Sequence, residues 1–309
     1  MIANFIDLED FTGPQLMGLI DQAIADKAAW RAGKLASTLT RKTLAMIFEK
    51  PSLRTRVSFE TAMSDLGGHA IYLTKADIGL GSREAIQDIA RVLGRMCDGI
   101  MARTFSHQFV VDLGKWSAVP VINGLTDHSH PCQAMADLMT AKEVFGELKG
   151  KTLVFVGDGN NVARSLADAC GKFGMKFILS CPEGYELDKK FVTAVRAEGG
   201  QACYQELHEP ARAVAGADII YTDTWISMGQ ESEKDKRVKA FKGFQINDKL
   251  LASAPRRAIV LHCLPAYRGY EITDSAFEAH SKTILDQAEN RLHFQRTLLN
   301  VLMGKGGIK

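Results

Sequence analysis

A chain of 309 residues leaves room for about two domains of ordinary size. Its 38 Lys and Arg against 36 Asp and Glu give a formal charge of +2, which offers no general attraction for nucleic acid or a membrane surface. No apolar run approaches the ~20 residues of a membrane span, so any anion must be held by basic residues gathered at one place. The cysteines (Cys97, Cys132, Cys170, Cys181, Cys203 and Cys263) contain no C-x-x-C pair and read as reduced thiols. Residues 1–10 lack the basic and apolar regions of a signal peptide, and a cytoplasmic location is expected.

In chain order, Thr12 and Gln15 form a capping-box pattern ahead of a helix that places Leu16, Leu19, Ile20, Ala23 and Ile24 on one face. The apolar runs Leu44–Phe48, Ala70–Leu73, Gly99–Ala102 and Val119–Ile122 read as buried strands. A long helix is expected from Pro131, with Ala134, Leu138, Ala141 and Phe145 spaced for burial. Residues 146–151 are polar and contain glycine, which places a domain boundary there. Alternation then restarts with strands at Thr152–Val156, Phe177–Leu179, Ile219–Tyr221 and Ile259–Leu261, and a last helix spans Arg291–Met303. The expected fold is α/β: two domains, 1–146 and 147–288, each a parallel β-sheet flanked by helices, with the active site in the interdomain cleft.

Five segments carry chemistry. Ser52-Leu53-Arg54-Thr55-Arg56 runs from a strand into a helix N-terminus, where free amides, two hydroxyls and two guanidiniums suit a phosphate. Arg103 ends an apolar strand, the place where open α/β sheets bind ligands. In Asp127-His-Ser-His-Pro-Cys-Gln133 the nearness of His128, His130 and Cys132 suggests a metal, but no second ligand cluster follows. His130 as a helix N-cap, with Gln133 in the first turn, instead suits a carbonyl and an amide. Gly157-Asp158-Gly159 imitates a dinucleotide fingerprint, yet Val162 replaces the third glycine and no ribose-binding acid follows, which leaves Asn161 to bind a carboxylate or amine. Asp223, with Ser227 and Met228 in a closing loop, and His262-Cys263-Leu264-Pro265 follow two strands of the second half.

Ser52-Leu-Arg-Thr-Arg, Met101-Ala-Arg, His130-Pro-Cys-Gln, Asp223-x-x-x-Ser-Met-Gly, His262-Cys-Leu-Pro and Glu289-Asn-Arg-Leu-His-Phe-Gln295 occur in this order. In this the chain resembles the ornithine carbamoyltransferases over essentially its whole length. Leu53 departs by standing where many members have threonine, which removes a hydroxyl and keeps an amide. Gly79 stands where many place a glutamine reaching into a neighbouring subunit, with Ser82 or Arg83 as substitutes.

The resemblance implies that carbamoyl phosphate is held by Ser52, Leu53, Arg54, Thr55, Arg103, His130, Gln133, Cys263, Leu264 and Arg291. It implies that Asn161, Asp223, Ser227 and Met228 bind L-ornithine, and that Arg54, Thr55, Arg103, His130 and Cys263 act in catalysis. No metal and no cofactor are expected. A homotrimer is implied, as is a C-terminal helix at about 289–309 that packs on the first domain. Carbamoyl transfer to putrescine or N-acetylornithine, a dinucleotide-dependent oxidoreductase and a non-catalytic anion-binding module are the competing readings.

Overall fold

The structure, a computed structural model, describes residues 4–79, 84–227, 229–304 and 308. The alternation of strand and helix forms two compact units. The first takes residues up to Met139 together with those from Glu289, and the second takes Thr140–Ala288. Both sheets are wholly parallel, and no described helix is long and apolar enough to cross a membrane.

The first unit opens with α1 (Gly13–Arg31) and continues β1 (Thr43–Phe48), α2 (Leu53–Asp65), β2 (His69–Thr74), α3 (Ile86–Met96), β3 (Gly99–Arg103), α4 (His107–Trp116), β4 (Val121–Leu125) and α5 (Pro131–Phe145). The Thr12–Gln15 capping box forms at α1. Strand order is β2-β1-β3-β4. The chain leaves β1 for one side and returns to pair β3 on the other, so the sheet reverses its direction of growth between β1 and β3. A crevice at such a switch point is where open parallel sheets take ligands. Residues 49–55 and Arg103 stand at its rim.

Two expected strands differ in detail. Residues 70–73, read as buried, belong to the edge strand β2, where Ile71 is 40% exposed. The strand expected at Val119 begins at Val121, because Pro120 has no N–H for the ladder. It runs on through buried Asn123 and Gly124 because Phe5 bridges it: Phe5 donates to the Val121 carbonyl and the Asn123 N–H to Phe5 (both 2.8 Å). The register slips opposite Ala102 and Arg103, so that Arg103 pairs with Leu125. Such a bulge bends the strand end and re-aims its side chain.

The second unit contains β5 (Thr152–Val156), α6 (Asn161–Lys172), β6 (Lys176–Ser180), α7 (Lys189–Gly199), β7 (Tyr204–Glu206), α8 (Pro210–Val214), β8 (Ile219–Thr222), α9 (Lys234–Ala240), α10 (Asp248–Leu251) and β9 (Ile259–His262). Order β7-β6-β5-β8-β9 puts its switch point between β5 and β8, where Asn160, Asn161 and Asp223 emerge. Edge strand β7 is too short to show a period, and the sequence pattern does not find it. The core is aliphatic, with Val154, Val156, Ile220 and Val260 from β5, β8 and β9 packed on Ile246, Ile272 and Ile284.

The last helix, α11 (Asp274–Met303), is 30 residues long and starts 17 residues before the expected Arg291. Thr273 Oγ1 accepts from the Ala276 N–H at its start, and its polar first half hides the continuity from apolar spacing alone.

The glycine turn after β5 has a packing reason. A Cβ at Gly159 would lie 2.7 Å from the Tyr185 carbonyl oxygen and 2.9 Å from the Leu187 nitrogen, both backbone atoms. Gly159→Ala should therefore destabilise the protein by about 1–3 kcal/mol, seen as a lower midpoint in urea unfolding.

Candidate active site

At the end of β1 the backbone turns into α2, and Ser52 caps it: its Oγ accepts from the Thr55 N–H at 3.3 Å. Arg54 and Thr55 thus sit in the first turn, where helix amides carry partial positive charge. Thr55 is fully buried. Its Oγ1 accepts from Arg103 Nη1 and from Arg291 Nη2, each at 3.4 Å. Both lone pairs are then used, and the proton is what this hydroxyl can offer a ligand. The Leu53 side chain is 73% exposed, which leaves its amide as the group near the turn.

Arg291, on α11, donates through Nη1 to Gln133 Oε1. Gln133 in turn donates Nε2 to Asp137 Oδ1 at 2.7 Å, so its orientation is fixed and one lone pair of Oε1 is used within the protein. Gln295, with its amide oxygen turned toward Arg291, accepts from Nη2 at 2.8 Å and Nε at 3.1 Å.

His130 precedes the first turn of α5; its carbonyl accepts from the Gln133 and Ala134 N–H groups. It is buried. Its pKa is held well below the usual imidazole value, first by burial and then by Arg291, Arg103, Arg54 and Lys50. Lys50 is a member the sequence reading missed. It lies 3.8 Å from the Phe105 ring centroid, and its pKa is lowered by burial and by Arg103. Four cations around one neutral imidazole favour a multiply charged anion there. They also repel a metal ion. Cys132, the neighbour that had suggested a metal, is buried with its thiol pushed up to about 12 and donates to the Asn123 carbonyl at 3.5 Å.

In the second unit the residues after β5, β8 and β9 converge. Asp223 Oδ1 accepts from the Cys263 thiol at 2.9 Å and from the Thr224 N–H at 2.7 Å. Asn160 Nδ2 donates to Asp223 Oδ2 at 2.9 Å, while Asn160 Oδ1 caps α6 by accepting from the Val162 and Ala163 N–H groups, each at 3.0 Å. The expected residue, Asn161, is the first of α6 and half-buried beside this cap. Asn160, which the sequence reading did not name, caps the helix and reaches Asp223. An Asn pair gives no sequence signal for which member caps.

Arg237 was also missed. From α9 it donates Nη1 to Asp158 Oδ2 at 2.8 Å and to the Trp225 carbonyl at 3.0 Å, which ties the loop after β8 to the glycine turn. In that loop the Ser227 N–H donates to Gln230 Oε1 at 3.0 Å. Met228 lies outside the described residues, as do Ser82 and Arg83.

His262 has a supporting part. Its Nδ1 accepts from the Leu264 N–H at 2.9 Å, so the proton sits on Nε2, which faces Glu271 Oε1 at 3.0 Å. Leu264 has φ +60°, an uncommon conformation for a branched residue, and His262 helps hold it. Asp223, His262 and Cys263 lie close enough to share an ion. Both nitrogens of His262 are engaged, by the Leu264 N–H and by Glu271, while Cys263 alone of the three donates to Asp223.

The low pKa of His130 has a measurable sign. Since the folded value is below the ordinary one of about 6.5, protonation favours the unfolded chain, and stability falls as pH drops from 6.5 toward the folded value. Imidazole NMR should show His130 neutral throughout pH 8 to 6, whatever the exposed histidines do over the same range.

Residues 3–143 match the carbamoyl-P binding domain, and residues 149–302 the Asp/Orn binding domain, of aspartate/ornithine carbamoyltransferase. The anabolic ornithine carbamoyltransferase of Pyrococcus furiosus is 50% identical over 309 residues, which cover 99% of this chain and 97% of that protein. The chloroplastic ornithine carbamoyltransferase of Pisum sativum is 46% identical over 98% of this chain and 81% of its own length. Among solved structures, the Pyrococcus furiosus ornithine carbamoyltransferase matches with a TM-score of 0.94 at 47% identity, over 98% of this chain and 97% of that one. The Thermus thermophilus ornithine carbamoyltransferase matches with a TM-score of 0.87 at 40% identity, over 97% and 98%. Parallel sheets in both units, the cationic turn after β1 and domain matches spanning nearly the whole sequence agree: this chain belongs to the aspartate/ornithine carbamoyltransferase family.

Proposed function

We propose that the chain transfers the carbamoyl group of carbamoyl phosphate to the side-chain amine of L-ornithine, giving L-citrulline and phosphate in arginine biosynthesis. The observation that carries the choice of acceptor is the Asp223–Cys263 pair braced by Asn160. An anionic carboxylate beside a thiol suits a primary ammonium group that must bind charged and react neutral.

Carbamoyl phosphate is a dianion with an electrophilic carbonyl. Ser52, Arg54, Thr55, Arg103 and the Leu53 amide would hold its phosphate. Arg54, Thr55 and neutral His130 would donate to the carbonyl oxygen, where negative charge grows as the amine attacks. Being neutral, His130 donates only one ring N–H, and its burial fixes the direction of that bond. Gln133 has a second lone pair for the carbamoyl N–H, with the Leu264 carbonyl as a further acceptor. Arg291 would approach the same carbonyl.

Ornithine would be held by Asn161, Asp223, Ser227 and Met228. Its side-chain amine, with an ordinary pKa of about 10, must lose a proton before its lone pair forms the new C–N bond. Asp223 would receive that proton, with the Cys263 thiol taking part as its hydrogen-bond partner. The C–O bond to phosphate then breaks with its electron pair on phosphate, which takes the second amine proton and leaves as hydrogen phosphate. No step draws on a metal or organic cofactor.

No disulfide joins the six cysteines, which fits a reducing cytoplasm. A homotrimer would cover the exposed apolar side chains of the first unit, such as Leu53, Val57, Ile71, Val92 and Met96. Light scattering should give three times the 33.9 kDa chain mass.

Citrulline formation from carbamoyl phosphate, assayed beside putrescine, N-acetylornithine and aspartate without added metal, should occur with ornithine alone. Turnover with another amine would overturn the acceptor assignment, and none with any would overturn the transferase. Arg54→Ala should lower kcat by about 10²–10³-fold, as loss of an oxyanion donor does. Asp223→Asn should raise the ornithine KM roughly tenfold or more, with little effect on the carbamoyl phosphate KM.

A further inference from the structure

The first unit holds a second cluster that the proposed reaction does not use. Asp7, His107 and His128 come from three separate segments: the chain before the short 3₁₀ turn Leu8–Asp10, the first residue of α4, and the turn after β4. His128 Nε2 lies 3.7 Å and His107 Nε2 3.9 Å from the same oxygen, Asp7 Oδ2. The two rings lie side by side with centroids 4.6 Å apart. All three ligand atoms fall within 4.8 Å of one another.

We infer that Asp7, His107 and His128 form a binding site for a divalent transition ion of the zinc class. At 3.7 and 3.9 Å the imidazole–carboxylate distances are too long for direct bonds. They suit a shared ion, because two atoms each about 2.1 Å from one centre stand up to roughly 4 Å apart. The outer partners also fit. Asp7 Oδ1 accepts from the Leu8 N–H at 2.7 Å, which turns Oδ2 toward the imidazoles. Metal on His107 Nε2 requires the proton on Nδ1, and Thr126 Oγ1 stands 2.9 Å away to accept it.

The His128 side chain is 39% exposed, His107 21% and Asp7 13%, so water can complete the coordination. Two imidazoles and one carboxylate favour zinc, nickel or copper over magnesium or calcium. The His128 and Ser129 N–H groups share the remaining lone pair of the same Thr126 hydroxyl at 3.3 and 3.2 Å. A bound ion would therefore brace the turn that leads into His130, without touching substrate.

Zinc chloride titrated into the metal-free full chain by calorimetry, with excess magnesium present, tests this site. The Cys263→Ser chain serves as a second background, because a thiol beside Asp223 can also take zinc. We expect one ion per chain that survives Cys263→Ser and raises the melting temperature. In His128→Asn, and separately in His107→Gln, its affinity should fall by about 100-fold or more. Circular dichroism establishes that each variant is folded. No zinc bound by the Cys263→Ser chain, or equal zinc affinity in folded His128→Asn and His107→Gln, would overturn the site. The carbamoyltransferase assay is independent of either result.

Discussion

Positive charge gathered in a buried place costs energy unless something opposite arrives, and the first unit is organised around that constraint. Arg103, Arg291, Arg54 and Lys50 act together on His130. Arg291 is held in part by the uncharged groups of Thr55, Gln133 and Gln295. Arg296, one turn and a half further along α11, is treated differently. It is buried and paired with Asp65 at 2.9 Å. The same helix thus supplies Arg296 to a carboxylate and Arg291 to the cluster around His130.

The imidazole benefits from the same field. A protonated His130 would be a fifth cation, so it stays neutral and its role is limited to a directed hydrogen bond. In the second unit the polarity is reversed. Asp223 receives a thiol, an amide and a backbone N–H, and Asn160 joins its orientation to the N-cap of α6. An anion site on one sheet and a carboxylate-centred site on the other match the two reactants of a carbamoyl transfer. In each unit the sheet's switch point brings the relevant loops together.

Much of this was legible in sequence because the signals are local. Strands β1, β3, β5, β8 and β9 are continuous apolar runs, Ser52 and His130 stand immediately before helices, and Arg103 and Asp223 stand at strand ends. Those positions follow from chain order and from the periods of helix and strand. The extent of α11 was less legible, since a helix start with a polar first half gives little amphipathic contrast, and β7 was too short to signal at all.

What only the tertiary structure decided is which distant groups share a charge or a proton. Lys50 reads as an ordinary lysine until burial and Arg103 lower its pKa. Arg237 gains its part from Asp158, 79 residues away. His128 was read with His130 and Cys132, its neighbours in sequence, but the fold turns it toward Asp7 and His107. The chain by itself determined the residue types, the element order and the strand ends at which Arg103 and Asp223 stand. Pairing across long separations was decided by packing, because hydrogen bonds and electrostatics depend on distance in space, which sequence spacing does not give.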